Sequence, residues 1–256
     1  MRVRRALTDW IVHRRVLRRW ARAARRAPYM PLAELRHERT MARNLLYLLN
    51  EMTAVAEARL ARPMIGSTAF PVPHGIDWSW RPALWALPLA HPGMSSAPAK
   101  SRLGGELTLF HDCARSELTL RQVRNTRAAD LAPYGLRIDV FAFDGTFLSV
   151  VLDLPHAAVD GLKKRHLLRL TTIAELEKPQ KIFARLNIRH GPNTEQIVRE
   201  LPTDGDEKIV EFDLAYSGLD ERRIERAWLD LIFEDPEMSQ VTLRDLTVCR
   251  QPRAEF

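Results

Sequence analysis

Only two cysteines, Cys113 and Cys249, occur in 256 residues, and they form no CxxC pair. That excludes a disulfide framework and a zinc set built on paired cysteines. Without a signal-peptide pattern, two free, partly buried thiols are the expected state. Long apolar runs are missing as well. Nothing approaches the roughly 18 apolar residues of a membrane-crossing helix. There is no Gly-rich phosphate loop and no Ser elbow. No cofactor and no metal are expected, and no catalytic residue is assigned.

Acidic residues are scarce in one place. Asp9 is the only one among the first 26 residues, where ten are arginine. That segment carries a net charge of +9 in a chain whose total is +7, whereas residues 105–256 carry −5. The basic balance therefore belongs to an arm and not to the whole chain. Nucleic acid is expected as a partner of this arm alone, if of any part of the chain.

Residues 1–26 read as a helix. Val3, Leu7, Trp10, Leu17, Trp20 and Ala24 fall near one face at 100° per residue. Arg4, Arg15, Arg18, Arg19, Arg22 and Arg26 cluster on the other, while Val12 and Val16 sit off the apolar face. Trp10 and Trp20 suit a headgroup boundary, because indole is apolar with one wet N–H. Each arginine near an anionic leaflet contributes about 1 kcal/mol, so several can hold a protein there reversibly. Contact with an anionic membrane or another polyanion is one reading. The other packs Leu7, Trp10 and Leu17 on the chain's own domain. An organellar transit peptide shares this composition. Arginines interrupt every run that a secretory signal would need, so the chain is expected to be cytoplasmic, peripheral at the inner membrane if the arm binds there.

Residues 27–62 read as a second helix. Pro28 and Pro31 break the chain, and Leu32 to Arg62 contains neither Gly nor Pro. Met41, Leu45, Leu48, Met52 and Val55 alternate in steps of four and three, a seam that fails at Arg59 and Arg62. Docking on the chain's own domain is preferred to a self-associating coil, which needs three or four heptads.

Residues 63–104 hold seven of the sixteen prolines and three tryptophans, Trp78, Trp80 and Trp85. Prolines at that density exclude a long helix or a central strand. The segment is expected to wrap a domain, with the tryptophans as buried anchors rather than as a platform for a sugar ring. His91 to Gly105 reads as an exposed loop.

From Gly105 the texture becomes β. Ile182, Ala184, Leu186 and Ile188 alternate with Lys181, Phe183, Arg185, Asn187 and Arg189. Val210, Phe212 and Leu214 alternate with Glu211 and Asp213, and Leu229, Leu231 and Phe233 with Trp228, Asp230 and Glu234. Such alternation means sheets wet on one side, hence antiparallel pairing. Asp144-Gly145 reads as a two-residue hairpin between the runs on either side. His190–Asn193, Asp204–Asp206 and Asp235-Pro236 supply further turns. Nine or ten strands at this spacing imply a mainly β domain over residues 105–256, a two-sheet antiparallel β-sandwich or a barrel, preceded by two α-helices. Val241 and Leu243 share one parity, Leu246 and Val248 the other, so a bulge is predicted near Arg244–Asp245.

Candidate chemistry is thin. In His111-Asp112-Cys113, a strand would put His111 and Cys113 on one side, so a Cys–His nucleophile pair is conceivable. Lys181, Phe183, Arg185, Asn187 and Arg189 form one ribbon face. Three cations, an amide and an aromatic ring could receive an acidic glycan or an acidic protein. Alternatively the cations pair across the sheet with residues such as Glu211 and Asp213.

Two resemblances follow from these residues. The segment WLDLIFEDPEMSQVTLRDLTV, Trp228 to Val248, resembles the closing hairpin of galactose-binding-like jelly-roll domains, and this resemblance implies a jelly-roll-like β-sandwich. The runs GGELTLFHDC, SELTLRQ, RIDVFAFDGTFLSVVLDLP and EKPQKIFARLNIRHGPN resemble a family of uncharacterised alphaproteobacterial proteins, which implies a bacterial source and carries no mechanism. The function expected is a non-catalytic β-sandwich that binds a glycan or protein ligand, held at an anionic surface by the arginine helix. The alternatives are a carbohydrate-active or other hydrolytic enzyme on a jelly-roll fold, or a nucleic-acid-associated protein using only the arm.

Overall fold

The computed structural model describes residues 2–60 and 69–253, without the side chains of residues 2–11, 54 and 57–60. Val3, Arg4, Leu7 and Trp10 therefore lie outside the described side chains, and Pro63 outside the described residues. The chain forms two compact units that meet in sequence at Thr53 and Ala54.

The first unit is helical. Helix α1 spans Arg2–Arg26, followed by a 3-10 turn at Ala27–Tyr29. Arg25 and Arg26 close α1, where cations complement the negative end of the helix dipole. Pro28 sits at the start of the turn, where its missing N–H costs nothing. Helix α2 spans Leu32–Leu60 and crosses into the second unit's residues. Along its seam Met41, Leu48, Met52 and Val55 are exposed, as are Leu46 and Leu49. In α1, Val12, Val16 and Leu17 are exposed too.

Among the described residues the second unit is a sandwich of thirteen strands in two antiparallel sheets. The strands are β1 (Trp78–Trp80), β2 (Gly93–Ser95), β3 (Arg102–Leu103), β4 (Leu107–His111), β5 (Leu118–Arg124), β6 (Tyr134–Val140) and β7 (Leu148–Asp153). They continue with β8 (His166–Leu176), β9 (Ile182–His190), β10 (Asn193–Glu200), β11 (Glu207–Asp213), β12 (Ile224–Phe233) and β13 (Ser239–Pro252). A four-residue helix, α3 (Ala83–Ala86), follows β1. The seven-stranded sheet runs β11-β8-β13-β6-β5-β2 with β1 also on β13, and the six-stranded sheet runs β10-β9-β12-β7-β4-β3. The inward faces meet in one core. Leu186, Phe212, Leu231 and Phe233 are all buried, as the alternation requires.

The predicted bulge exists. The register of β13 against β8 shifts between Leu243 and Asp245, and Val241, Leu243, Leu246 and Val248 are all buried. Ahead of the bulge β13 pairs with β6, and beyond it with β1. Trp85, fully buried, donates its indole N–H to Leu243 O at 2.9 Å.

Two expectations are corrected. Asp144-Gly145 is not a hairpin. Strand β6 pairs with β5 and β13 in one sheet, and β7 pairs with β12 and β4 in the other. The residues between them cross from sheet to sheet. Asp112 organises that crossing by accepting from Thr146 N at 2.7 Å, Thr146 Oγ1 at 2.6 Å and Phe147 N at 3.2 Å. The two-residue hairpin lies instead at Gly191-Pro192, where His190 opposes Asn193 and Gly191 takes φ 59°. The second correction concerns the stretch before Gly105. Strands β1, β2 and β3 already belong to the sheets, and Ala97 is buried, so Gly105 falls inside the sandwich and His91 to Gly105 is not simply an exposed loop. Strands of two or three residues are too short to show alternation. Of the three tryptophans only Trp85 is fully buried; Trp78 and Trp80 are half-buried and stacked at 6.4 Å.

Candidate functional site

The outward face of the six-stranded sheet carries a groove of about 410 Å³. Register builds it in rows. Phe110 opposes Ser149, which opposes Ile232, which opposes Phe183. One row along, Thr108, Val151, Asp230 and Arg185 align. The next row aligns Asp153, Trp228, Asn187 and Gln196, and beyond it Arg226 faces Arg189. All these side chains point outward because the alternate residues, among them Leu109, Val150, Leu229, Leu231, Leu186 and Ile188, fill the core. Phe147, directly before β7, is exposed and lines the groove beside Phe110. From the Phe110 row to the Trp228 row is four residues of strand, roughly 14 Å.

The floor is polar. Asp230 is only 2% exposed, and its Oδ2 accepts from Arg185 Nε at 2.7 Å, Arg185 Nη2 at 2.6 Å and Asn187 Nδ2 at 3.1 Å. Asn187 in turn accepts from Gln196 Nε2 at 2.9 Å. The other oxygen of Asp230, Oδ1, is buried and has no hydrogen-bond partner among the described residues. A buried carboxylate oxygen without a donor is costly, and such an atom calls for an explanation. At the far end of the groove the Arg226 guanidinium lies 4.9 Å from the centroid of the Trp228 ring.

The residues expected as a binding ribbon are placed as follows. Phe183 and Arg185 are half-buried on the outward face, and Arg189 is exposed there. Lys181, also exposed, precedes β9. Asn187 is 1% exposed, so it is not a free amide on an open ribbon. The cations do pair across the sheet, but with other partners than those anticipated. Arg185 meets Asp230, and Arg189 Nε lies 3.2 Å from Glu225. Glu211 and Asp213, in the other sheet, pair with Arg169 and Arg253. The alternation placed Trp228 and Asp230 on the outward side of β12; only register shows that they join Phe110, Phe147 and Arg185 around one groove.

The remaining candidates stand apart from it. His111 is buried with Nε2 3.0 Å from Ala97 O, and burial pushes the Cys113 thiol up, away from the thiolate that a nucleophile needs. Cys113 and Cys249 are both free. Among the described residues no cluster of His, Cys, Asp or Glu could hold a metal. In the helical unit, Arg15, Arg18, Arg22 and Arg26 are exposed. Arg19 reaches Glu38 of α2 at 3.3 Å and lies 4.9 Å from the ring centroid of Trp20, which is half-buried. A cleft of about 370 Å³ there is lined by Arg19, Arg22, Arg25, Arg26, Glu34 and Glu38 among others. Among the described residues no helix is long and apolar enough to cross a membrane.

Residues 1–256 match the profile of a protein family described as a family of unknown function (DUF6478). No curated protein matches the chain. Among solved structures it is similar to the enzymatically active domain of bacteriophage CBA120 tailspike protein 4, at 9% identity and a TM-score of 0.41. That match covers 63% of this chain and 21% of the tailspike chain, so the chain spans about a fifth of that protein. It is also similar to the family 11 carbohydrate-binding module from Clostridium thermocellum in complex with a β-1,3-1,4-mixed-linked tetrasaccharide. The identity there is 12%, over 65% of this chain and 99% of the module, with a TM-score of 0.39. The xylan-binding CBM22-1 domain of Paenibacillus barcinonensis Xyn10C is similar at 12% identity, over 63% of this chain and 94% of that domain, with a TM-score of 0.37.

Proposed function

This chain belongs to the family of unknown function DUF6478, and we propose that its β-sandwich binds a carbohydrate chain in the groove of the six-stranded sheet. The observation that carries this reading is a groove edged by aromatic rings with Asp230 in its lining, a carboxylate whose Oδ1 has no donor among the described residues. A sugar offers both halves of the complement. Its hydroxyls donate to carboxylates, and its C–H faces pack on aromatic rings. Phe110 and Phe147 supply rings at one end and Trp228 at the other. Asn187 and Arg185 hold the Asp230 carboxylate through Oδ2, which leaves Oδ1 as the oxygen still in need of a donor. The groove is longer than one sugar ring, which favours an oligosaccharide.

The helical unit supports a second part of the proposal, in which α1 holds the protein at an anionic surface. Arg15, Arg18, Arg22 and Arg26 are exposed on one face, and so is the apolar side chain of Leu17 on the other. An interfacial helix needs both.

A glycan array on the full-length protein, followed by titration of whatever binds, tests the first part. Trp228→Ala and Asp230→Asn should each weaken binding about tenfold or more while circular dichroism stays that of a β protein. A protein that binds no glycan, or variants that bind as tightly as the parent, would end the reading.

A further inference from the structure

The charge at one end of the groove narrows the ligand. Arg226 and Arg189 are cross-strand neighbours on the outward face, and like charges in that position destabilise a sheet. Only one of them is neutralised. The register of β12 against β9 shifts between Ile224 and Arg226, so Glu225 is the extra residue of a bulge. In a regular strand Glu225 would share the inward side with Ala227. The bulge exposes it instead, brings its carboxylate to Arg189, and lets Ile224 pack on the core opposite His190. Arg226 has no carboxylate partner among the described residues, and its guanidinium is held against the Trp228 ring.

A guanidinium stacked on an indole keeps its N–H edge free and loses little freedom when that edge is used. The edge fits the two oxygens of a carboxylate. Two rows away along β12, Asp230 Oδ1 needs a hydroxyl donor. A ligand that satisfies both carries hydroxyls and a carboxylate on linked sugar rings.

We infer that the groove selects glycans built from uronic acids, with Arg226 receiving the carboxylate and Asp230 accepting from a hydroxyl. The inference rests on the glycan reading above. It adds a charge requirement that a neutral polysaccharide does not meet.

The test uses the full chain with all ten arginines of residues 1–26 replaced by Gln, which leaves that segment with a net charge of −1 and removes the arm's own attraction for polyanions. Oligomers of galacturonic, glucuronic and guluronic acid are titrated calorimetrically, each beside its methyl ester, which keeps the ring and removes the charge. At least one acidic oligomer should bind about tenfold or more tightly than its ester. Arg226→Gln in the same background should collapse that ratio toward one. Glu225→Gln, which frees Arg189, should raise it, and a gain of affinity is not something misfolding produces. Acid and ester binding alike, or a preference that survives Arg226→Gln, overturns the charge assignment and leaves glycan binding intact. If acidic, esterified and neutral glycans all fail to bind, the glycan reading fails and this one with it. Poly-glutamate bound at the groove in place of every sugar would overturn both and make the ligand an acidic protein.

Discussion

His166 shows how one buried side chain ties stability to pH. Its imidazole is 2% exposed, with Nδ1 accepting from Lys163 N at 2.9 Å and Nε2 3.4 Å from Asp77. Burial pushes its pKa below the usual histidine range, against the pull of Asp77 and with help from Arg250, Arg165 and Lys163. The unfolded chain, with a histidine pKa of about 6.5, therefore takes the proton more readily than the folded one. The stability this group contributes is complete above about pH 6.5 and is lost as pH falls through that value and then through the folded one. The urea midpoint should decline between neutral and mildly acidic pH. His166→Asn, whose side-chain oxygen can still accept from Lys163 N, should flatten that decline. An unchanged slope in the variant would assign the pH dependence elsewhere. None of this was readable in the sequence, where His166 is one of eight histidines with nothing to mark it.

At the scale of elements, alternation decided what could be read. Strands β9, β11 and β12 were legible because apolar and polar residues take turns, and the bulge in β13 because its parity changes. Asp144-Gly145 misled because turn chemistry is local, whereas a strand's partner is set by the sheet that receives it. Gly145 has a different task there. A Cβ on it would lie 2.9 Å from the backbone nitrogen of Cys113 and closer still to the Asp112 side chain. Gly145→Ala should therefore force the crossing away from Asp112, at a cost of about 1–3 kcal/mol. Because that crossing ends at Phe147 on the groove, glycan binding should weaken as well. Urea denaturation and titration of the same variant check both. Wild-type stability would mean that the loop yields freely.

For the molecule as a whole, charge is partitioned by sequence position. The first 26 residues carry +9 and the chain from Gly105 onward −5. Deleting residues 2–26 should remove binding to vesicles containing phosphatidylserine and leave the sheets folded. Binding by the intact chain should fall steeply as salt rises, since exposed charges are screened within about 8 Å at physiological ionic strength. Co-sedimentation at low and high salt measures this, with neutral vesicles as control. Equal binding with and without residues 2–26 would sink the surface-anchor proposal.

By itself the sequence determined the helices, the β class and which residues of the main strands face inward. Those properties follow from local periodicity, which any window of the chain displays. Tertiary structure alone decided the groove. Phe110, Ser149, Asp230 and Arg185 come from β4, β7, β12 and β9, and no spacing in the sequence predicts that these four strands lie side by side. It also decided which charges stay free. Asp230 takes up Arg185, and a bulge gives Glu225 to Arg189, so among the described residues Arg226 has an aromatic ring and no carboxylate. Pairing is a property of register, and register is fixed by how two sheets share one core.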